Sequence, residues 1–211
     1  MLGVSASASM SGDSESNEGP GVALLACKLP GVRISPFWVD HLSPRDSTDE
    51  RAAKLAEQIE AGADIVNDVT GLTADEKMLP LCIETGVGVV VMHMQGTPQT
   101  MQKNPNYDGA GGVTSAVEEF FAERLKTLTD AGMDADAICF DPGIGFGKSL
   151  DHNLELLENL GRLQKDRPLL LGVSRKSFLG LLAPEGDPAK TDPAARDAAT
   201  AEVTARAFQE C

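Results

Sequence analysis

The amino-acid sequence predicts an α/β fold in which parallel strands alternate with helices. Short apolar runs recur along the chain, and each is followed by a polar loop and then by apolar residues at helical spacing. Glycine follows several of these helical patterns. This order of strand, loop, helix and glycine is typical of βα units. Because the runs are almost continuously apolar, we expect strands that are buried on both faces.

Five segments fit buried strands. The four stronger segments are 63–68, 87–94, 136–141 and 168–174, and a weaker one spans 32–40. Residues 1–31 are rich in Ser, Gly and acidic residues, so we predict that this segment is disordered. The predicted organisation is therefore a disordered segment over 1–31 and one α/β domain over 32–211.

Helix starts and ends are marked more clearly than the strands. Three tetrapeptides fit the capping box, in which a Ser or Thr and a Glu three residues later bind each other's backbone amides. They are 47–50, 73–76 and 115–118. The glycines placed as helix C-terminal caps are Gly62, Gly86, Gly132 and Gly161. Two further helices are predicted over 151–160 and from Asp192 onward, the second with Pro193 in its first turn.

Charge and composition exclude several classes of protein. Eighteen Lys and Arg residues against 32 Asp and Glu residues give a net charge of −14, which repels the phosphate backbone of nucleic acids. No apolar run reaches the ~18 residues of a membrane span, and the N-terminus lacks the basic region of a signal peptide. The four cysteines are far apart, which favours free thiols. We therefore predict a cytoplasmic protein that binds neither nucleic acid nor membrane.

Two parallel architectures fit the predicted elements, an open doubly wound sheet and a (β/α)₈ barrel. A nucleotide-binding open sheet usually carries a glycine fingerprint after its first strand, and none is present there. A barrel needs about 31 residues for each of its eight units. At about 31 residues for each unit, residues 32–211 are long enough for fewer than six units. This segment carries five predicted strands, which is fewer than the eight of a complete barrel.

A glycine-rich loop follows the predicted strand that ends at Asp141. Its glycines are Gly143, Gly145 and Gly147, and glycine allows the backbone to approach a ligand closely. The loop is neither a dinucleotide fingerprint, because position 148 is Lys, nor a P-loop, because position 142 is Pro. Strand ends of this kind carry the active site in a barrel.

Two other strand ends are polar. A long loop with glycine, proline and polar residues spans 92–107 at the end of the strand 87–94, and its length favours a lid over an ordinary connection. His93 at its start has no paired His or Cys, which favours a structural role. Arg175 and Lys176 form a basic pair that, with Lys148, suits an anionic ligand.

Four segments, in this order, resemble the dihydropteroate synthase family of folate biosynthesis. They are 61–71, 89–102, 140–157 and 172–180, with a weaker continuation over 195–208. The resemblance implies a (β/α)₈ TIM barrel of the pterin-binding type. It also implies a transferase that joins 6-hydroxymethyl-7,8-dihydropterin diphosphate to 4-aminobenzoate. The products would be 7,8-dihydropteroate and pyrophosphate.

The resemblance also implies roles for individual residues. Asn67, Asp141 and Lys176 would hold the pterin, with Asp141 and Lys176 as the catalytic residues. A pterin edge presents adjacent N–H donors, which a carboxylate accepts as a pair. Met92 and Phe146 would lie against the pterin ring. The 4-aminobenzoate site would be bordered by Thr97, Pro98 and Ser177. Magnesium would assist departure of the diphosphate, and no protein nucleophile is required.

The sequence departs from the family pattern at both ends. The family's first two strands, with the loop that orders metal and diphosphate, and its last strand have no counterpart here. We therefore expect a truncated barrel over 32–211 with about five of eight strands and no protein ligand for magnesium. Asp40 is favoured over Asp49 as the counterpart of the pterin-binding aspartate of the family's third strand.

Two alternatives to an active synthase stay open from the sequence. One is an inactive fragment that binds pterin, and the other is a pterin-binding methyltransferase domain. The predicted partners are the two small-molecule substrates, and the candidate assembly is a homodimer.

Overall fold

A computed structural model of the protein describes residues 53–210, apart from 54, 58, 61, 98, 99, 102 and 166. Several sequence predictions lie outside the described residues: the disordered segment 1–31, the weak strand 32–40, the capping box 47–50, Asp40, Asp49 and Pro98. They stay predictions.

Three parallel strands form the central sheet, in the order β1 (Ile65–Asp68), β2 (Gly88–Met92) and β3 (Ile138–Asp141). They confirm the strands predicted over 63–68, 87–94 and 136–141, with shorter bounds. The predicted strand 168–174 pairs with β3 at one position only, where Leu169 bridges Phe140. Backbone hydrogen bonds of 3.0 Å and 2.7 Å join Phe140 N to Pro168 O and Leu170 N to Phe140 O.

Helices connect and flank these strands. Helical residues between 53 and 60 precede β1. The helices with defined bounds are α1 (Met78–Thr85), α2 (Val113–Asp130), α3 (Leu150–Glu158), α4 (Leu160–Leu163), α5 (Ser177–Leu181) and α6 (Asp197–Glu210). Short 3₁₀ turns span Asp108–Ala110, Ala135–Ala137, Pro188–Lys190 and Pro193–Arg196. The sequence patterns did not predict α5.

The predicted capping box at 73–76 is wrong. Helix α1 begins at Met78 with no side-chain cap. Proline is tolerated only in the first turn of a helix, and Pro80 would lie deep inside a helix that began near residue 74. The loop before α1 is held instead by the Asp68 carboxylate, which accepts the amides of Thr70 and Leu72 at 3.3 and 2.6 Å.

The capping box at 115–118 is also wrong, because α2 begins two residues before Ser115. The cap comes from another helix. Glu155 of α3 accepts hydrogen bonds from the backbone N–H and the hydroxyl of Thr114, at 3.1 and 2.8 Å. A carboxylate near a helix N-terminus also interacts favourably with the helix dipole.

The predicted helix ends are mostly confirmed. Gly86 caps α1 in the left-handed region with φ 70°, and Gly132 follows α2 with φ 103°. The prediction that Gly161 caps a helix is wrong, because Gly161 lies inside α4, whose Leu160 and Leu163 are both buried. The predicted helix start at Asp192 is present as a 3₁₀ turn, in which the Asp192 carboxylate accepts the amide of Ala194, and α6 continues from it.

The two faces of the sheet differ. Val89, Val91, Ile138 and Phe140 belong to the main apolar core under the helices, where the rings of Phe121 and Phe140 stack at 4.4 Å. Val90, Cys139 and Leu170 form a separate small cluster on the opposite face. Because side chains alternate along a strand, Met92 and Asp141 lie on the same face as this small cluster, at the carboxyl ends of their strands. Across the described residues, we find no helix with the length and apolar character of a membrane span.

Candidate active site

The strand register places three of the predicted pterin residues on one face of the sheet. Met92 of β2 pairs directly with Asp141 of β3. Asn67 of β1 pairs with Val90, two residues before Met92. Two strand spacings and two residues separate Asn67 from Asp141, which is about 10 Å across the sheet and about 7 Å along it. Asn67 is exposed, whereas Met92 and Asp141 are buried.

The glycine loop after β3 packs directly against the chain that leaves β2. Gly143 has φ 66°, and a Cβ placed on it would lie 2.0 Å from the carbonyl oxygen of His93. A Cβ on Gly147 would lie 2.8 Å from the carbonyl oxygen of Gln95. No side chain fits at either position, so the glycines serve backbone packing here. The Gly143 N–H donates to Asp141 Oδ1 at 2.7 Å, which orients the carboxylate.

Lys148 is buried behind this loop with an exposed fraction of 4%. Its ammonium donates to the carbonyl of Phe146 at 3.0 Å and to that of His93 at 3.4 Å, and it lies 3.0 Å from His93 Nδ1. When Lys148 is charged its ammonium can only donate, so in that state Nδ1 is the acceptor and the ring proton sits on Nε2. Lys148 therefore joins the loops that follow β2 and β3.

Burial also controls the charge of this pair. Burial and the nearby Lys148 ammonium lower the pKa of His93 to about 3, so the imidazole is neutral at pH 7. Burial lowers the pKa of Lys148 to about 7, against the attraction of Asp141. His93 thus serves as a neutral acceptor within the loop packing.

Lys176 approaches Asp141 from the segment after residue 171. Its Nζ lies 4.0 Å from the centre of the Phe146 ring, a cation–π contact. A Cβ on Gly145 would lie 3.3 Å from Lys176 Cδ, so the loop leaves room for the lysine stem. Burial lowers the pKa of Lys176 to about 8, and the Asp141 carboxylate opposes this shift.

Asp141 is the acidic centre of this cluster, with an exposed fraction of 6%. Burial raises its pKa to about 6, while the Gly143 N–H, Lys176 and Lys148 each act to lower it. The carboxylate is therefore mostly ionised at pH 7. The cluster offers a ligand one strong acceptor and one cation against an aromatic ring.

The predicted 4-aminobenzoate residues are less closely gathered. Thr97 is exposed, and its amide and hydroxyl meet the Thr100 hydroxyl at 3.1 and 2.9 Å, within one turn. That turn belongs to a loop closed by Gln95, whose side-chain amide makes two hydrogen bonds, of 2.7 and 3.0 Å, with the backbone of Asn106. Ser177 is exposed and follows Lys176 as the first residue of α5.

The expectation that three cations face an anionic ligand needs correction. Arg175 donates from Nε and Nη2 to the two carboxylate oxygens of Asp197 at 2.6 and 2.8 Å. Lys148 points at backbone carbonyls. Only Lys176 of the three keeps its ammonium against the aromatic wall of the cluster. Sequence reasoning missed Asp197, because nothing in its local pattern distinguishes it from a solvated helix-start aspartate.

The predicted lack of a protein ligand for magnesium stays a prediction, because magnesium is usually held by one or two carboxylates together with substrate phosphates and not by a larger cluster of side chains. Within the described residues, no three or more His, Cys, Asp or Glu side chains converge as metal ligands.

Three comparisons relate the chain to known proteins. The family model described as "Pterin binding enzyme" matches residues 45–211. The dihydropteroate synthase of Escherichia coli K12 is 41% identical over 129 residues, which cover 61% of this chain and 44% of that protein. The chain spans about half the length of the curated relatives it matches.

Solved structures show the same likeness. The Yersinia pestis dihydropteroate synthase with a sulfonamide drug complex has a TM-score of 0.68 at 34% identity, covering 75% of this chain and 55% of that one. The Thermus thermophilus enzyme in complex with 4-aminobenzoate has a TM-score of 0.66 at 35% identity, covering 75% and 58%. The likeness confirms the predicted fold class, a partial (β/α)₈ barrel.

Proposed function

The chain belongs to the pterin-binding enzyme family, and from that premise we propose that it acts as a dihydropteroate synthase. It would join 6-hydroxymethyl-7,8-dihydropterin diphosphate to 4-aminobenzoate, giving 7,8-dihydropteroate and pyrophosphate. One observation carries the proposal: a buried Asp141 carboxyl group at the carboxyl end of β3, with Lys176 held over Phe146 in the same cluster.

The pterin ring is proposed to bind on the face of the sheet that carries Met92 and Asp141. The adjacent N–H donors of the ring suit the Asp141 carboxylate. The carboxylate has about four lone-pair sites, and the Gly143 N–H donates to one of them. Asn67 can both donate and accept at the far end of the ring, and the Lys176 ammonium suits the carbonyl edge. Met92 and Phe146 supply apolar surface for the two faces of the ring.

The reaction needs no covalent enzyme intermediate. The C–O bond between the pterin methylene carbon and the diphosphate breaks, and its electron pair leaves with pyrophosphate. The 4-aminobenzoate nitrogen then forms the C–N bond and loses a proton, which the departing pyrophosphate can accept. With a pKa of about 8, Lys176 is mostly charged at pH 7 and stabilises the negative charge that develops. Its other contribution is to hold the ring in position.

The 4-aminobenzoate is proposed to bind beside Ser177 and Thr97, with Pro98 on the same loop. The position of Ser177 next to Lys176 supports this, because the arylamine must bind beside the pterin that Lys176 would contact. The Thermus thermophilus structure in complex with 4-aminobenzoate supports the substrate class.

Pyrophosphate release tests the proposal directly. The chain is mixed with both substrates and magnesium, and pyrophosphate and dihydropteroate are measured together. We expect both products from the wild-type chain, their loss in Asp141→Asn, and wild-type rates in Asp64→Asn, an exposed aspartate before β1. A folded chain that binds pterin but releases no pyrophosphate would instead be the inactive pterin-binding alternative.

A further inference from the structure

The start of α6 and the turn before it bind both the backbone and the side chain of Arg175. The Thr200 hydroxyl accepts from the Arg175 amide at 3.0 Å. The Arg196 guanidinium donates to the Arg175 carbonyl at 3.0 Å. The Asp197 carboxylate takes the Arg175 guanidinium in two hydrogen bonds. We call Arg196, Asp197 and Thr200 the α6 bracket.

Arg175 needs such support because its backbone is in the left-handed region, with φ 52°. A residue with a Cβ is disfavoured there, and the conformation persists only where the surroundings impose it. Lys176 is the next residue, so the backbone angles of Arg175 set the direction in which the Lys176 side chain leaves.

Arg196 has hydrogen-bond partners besides Arg175. Its side chain is buried and also donates to the carbonyls of Ala189 and Lys190, at 2.7 and 3.3 Å. A Cβ on Gly180 of α5 would lie 2.5 Å from the Ala189 carbonyl oxygen and 3.0 Å from Arg196 Nε, so glycine makes room for this hydrogen-bonded pair. Asp197 is more exposed, and an exposed ion pair contributes little. We therefore expect Arg196 and Thr200 to stabilise the Arg175 conformation more than Asp197 does.

We propose that the α6 bracket is a set of positioning residues, which hold Arg175 in its left-handed conformation and thereby place the Lys176 ammonium over Phe146 beside Asp141. The bracket touches no proposed substrate itself. Only its consequence for turnover rests on the proposed function, because the placement of Lys176 can be measured without substrate.

Thr200→Val tests the proposal, since it keeps the shape of the side chain and removes the oxygen that accepts the Arg175 amide. Thr204→Val is the matched control: Thr204 is similarly buried on the same helix, but its hydroxyl donates to the Thr200 carbonyl. Thr200→Ser keeps the acceptor and should behave as wild type. Arg196→Lys serves if Thr200→Val does not fold.

The main readout is amine labelling of Lys176 as a function of pH, quantified by mass spectrometry. In the wild type, labelling should titrate near pH 8, and in Thr200→Val the midpoint should move towards the ordinary 10.5. Hydrogen exchange at 175–178 should accelerate in the same variant only. The proposal is overturned if Thr200→Val and Thr204→Val lose equal stability and both leave Lys176 labelling and exchange at 175–178 as in the wild type.

The turnover rate provides a second, separate test. If the chain is a synthase, Thr200→Val should lower kcat in the pyrophosphate assay by more than Thr204→Val does. If the wild-type chain releases no pyrophosphate, the proposed function fails, whereas the labelling result still decides the role of the bracket.

Discussion

At the scale of single residues, the proposed function requires an ionised Asp141, because a carboxylate accepts from the N–H donors of a pterin ring. Burial raises the pKa of Asp141 to about 6 from 3.8, so the folded protein protonates this carboxyl at a higher pH than an exposed aspartate would. Protonated Asp141 keeps one hydroxyl donor and loses part of its acceptor capacity. The raised pKa also means that ionising Asp141 costs stability as pH rises through about 6.

We therefore expect the affinity for 6-hydroxymethylpterin to fall as pH is lowered through about 6 and to level off above that value. Pterin fluorescence titrations over a pH series measure this. Asp141→Asn should weaken binding by roughly 10- to 100-fold and remove the pH step, because a charged hydrogen bond contributes about 1.5–3 kcal/mol. A binding curve that keeps its step at pH 6 in Asp141→Asn would contradict the assignment.

Gly143 offers a second test at this scale. Gly143→Ala places a Cβ 2.0 Å from the His93 carbonyl at φ 66°, whereas Gly86→Ala at φ 70° meets nothing within 4 Å. The control should lose about 1–2 kcal/mol of unfolding free energy from the left-handed backbone alone. Gly143→Ala should lose on the order of 3 kcal/mol or more, because the loop must also move away from His93. Urea unfolding measures both, and equal losses would mean that the loop adapts.

At the scale of elements, strands and helix ends followed local sequence, but two helix starts did not. Apolar runs located β1, β2 and β3 because buried parallel strands need continuous apolar residues. The predicted starts of α1 and α2 were wrong for different reasons. Pro80 restricts where α1 can begin, and α2 is capped by Glu155, which is distant in sequence. A local pattern contains no information about a partner 41 residues away.

Glu155→Ala should therefore destabilise the protein by about 0.5–2 kcal/mol, the usual cost of losing a helix N-cap. Glu158→Ala, an exposed position at the end of the same helix, is the control and should change the unfolding free energy little. Chemical denaturation compares the two, and hydrogen exchange at the first turn of α2 locates the effect. An equal loss in both variants would argue against the cap.

At the scale of the whole molecule, β2 is the centre of the sheet and should be its most protected strand. Within the described residues, β2 pairs on both edges, whereas β1 pairs with β2 alone. We expect every amide of β2 to exchange slowly and β1 to show faster exchange at alternate residues, because its outward amides have no strand partner in that part of the chain. Equal protection of β1 and β2 would place a further strand against β1.

The charge of the molecule has a local meaning as well. A net charge of −14 coexists with Lys176, which is held against Phe146, and with its neighbour Arg175, which forms an ion pair with the exposed Asp197. The homodimer and the cytoplasmic location stay predictions, for which sedimentation and cell fractionation are the measurements.

The resemblance to the dihydropteroate synthase family, and not a local pattern, grouped Asp141, Lys176, Phe146 and Met92 as a predicted site. The sequence by itself determined the fold class, the three strands, the glycine loop and the strand-end position of Asp141. It could do so because buried strands, left-handed turns and strand-end carboxylates depend on residue types in local order. Only the tertiary structure decided that Arg175 pairs with Asp197, that Lys148 supports His93, and that α6 holds the Lys176 segment. Those contacts join residues far apart in the chain, where pairing depends on which elements pack together.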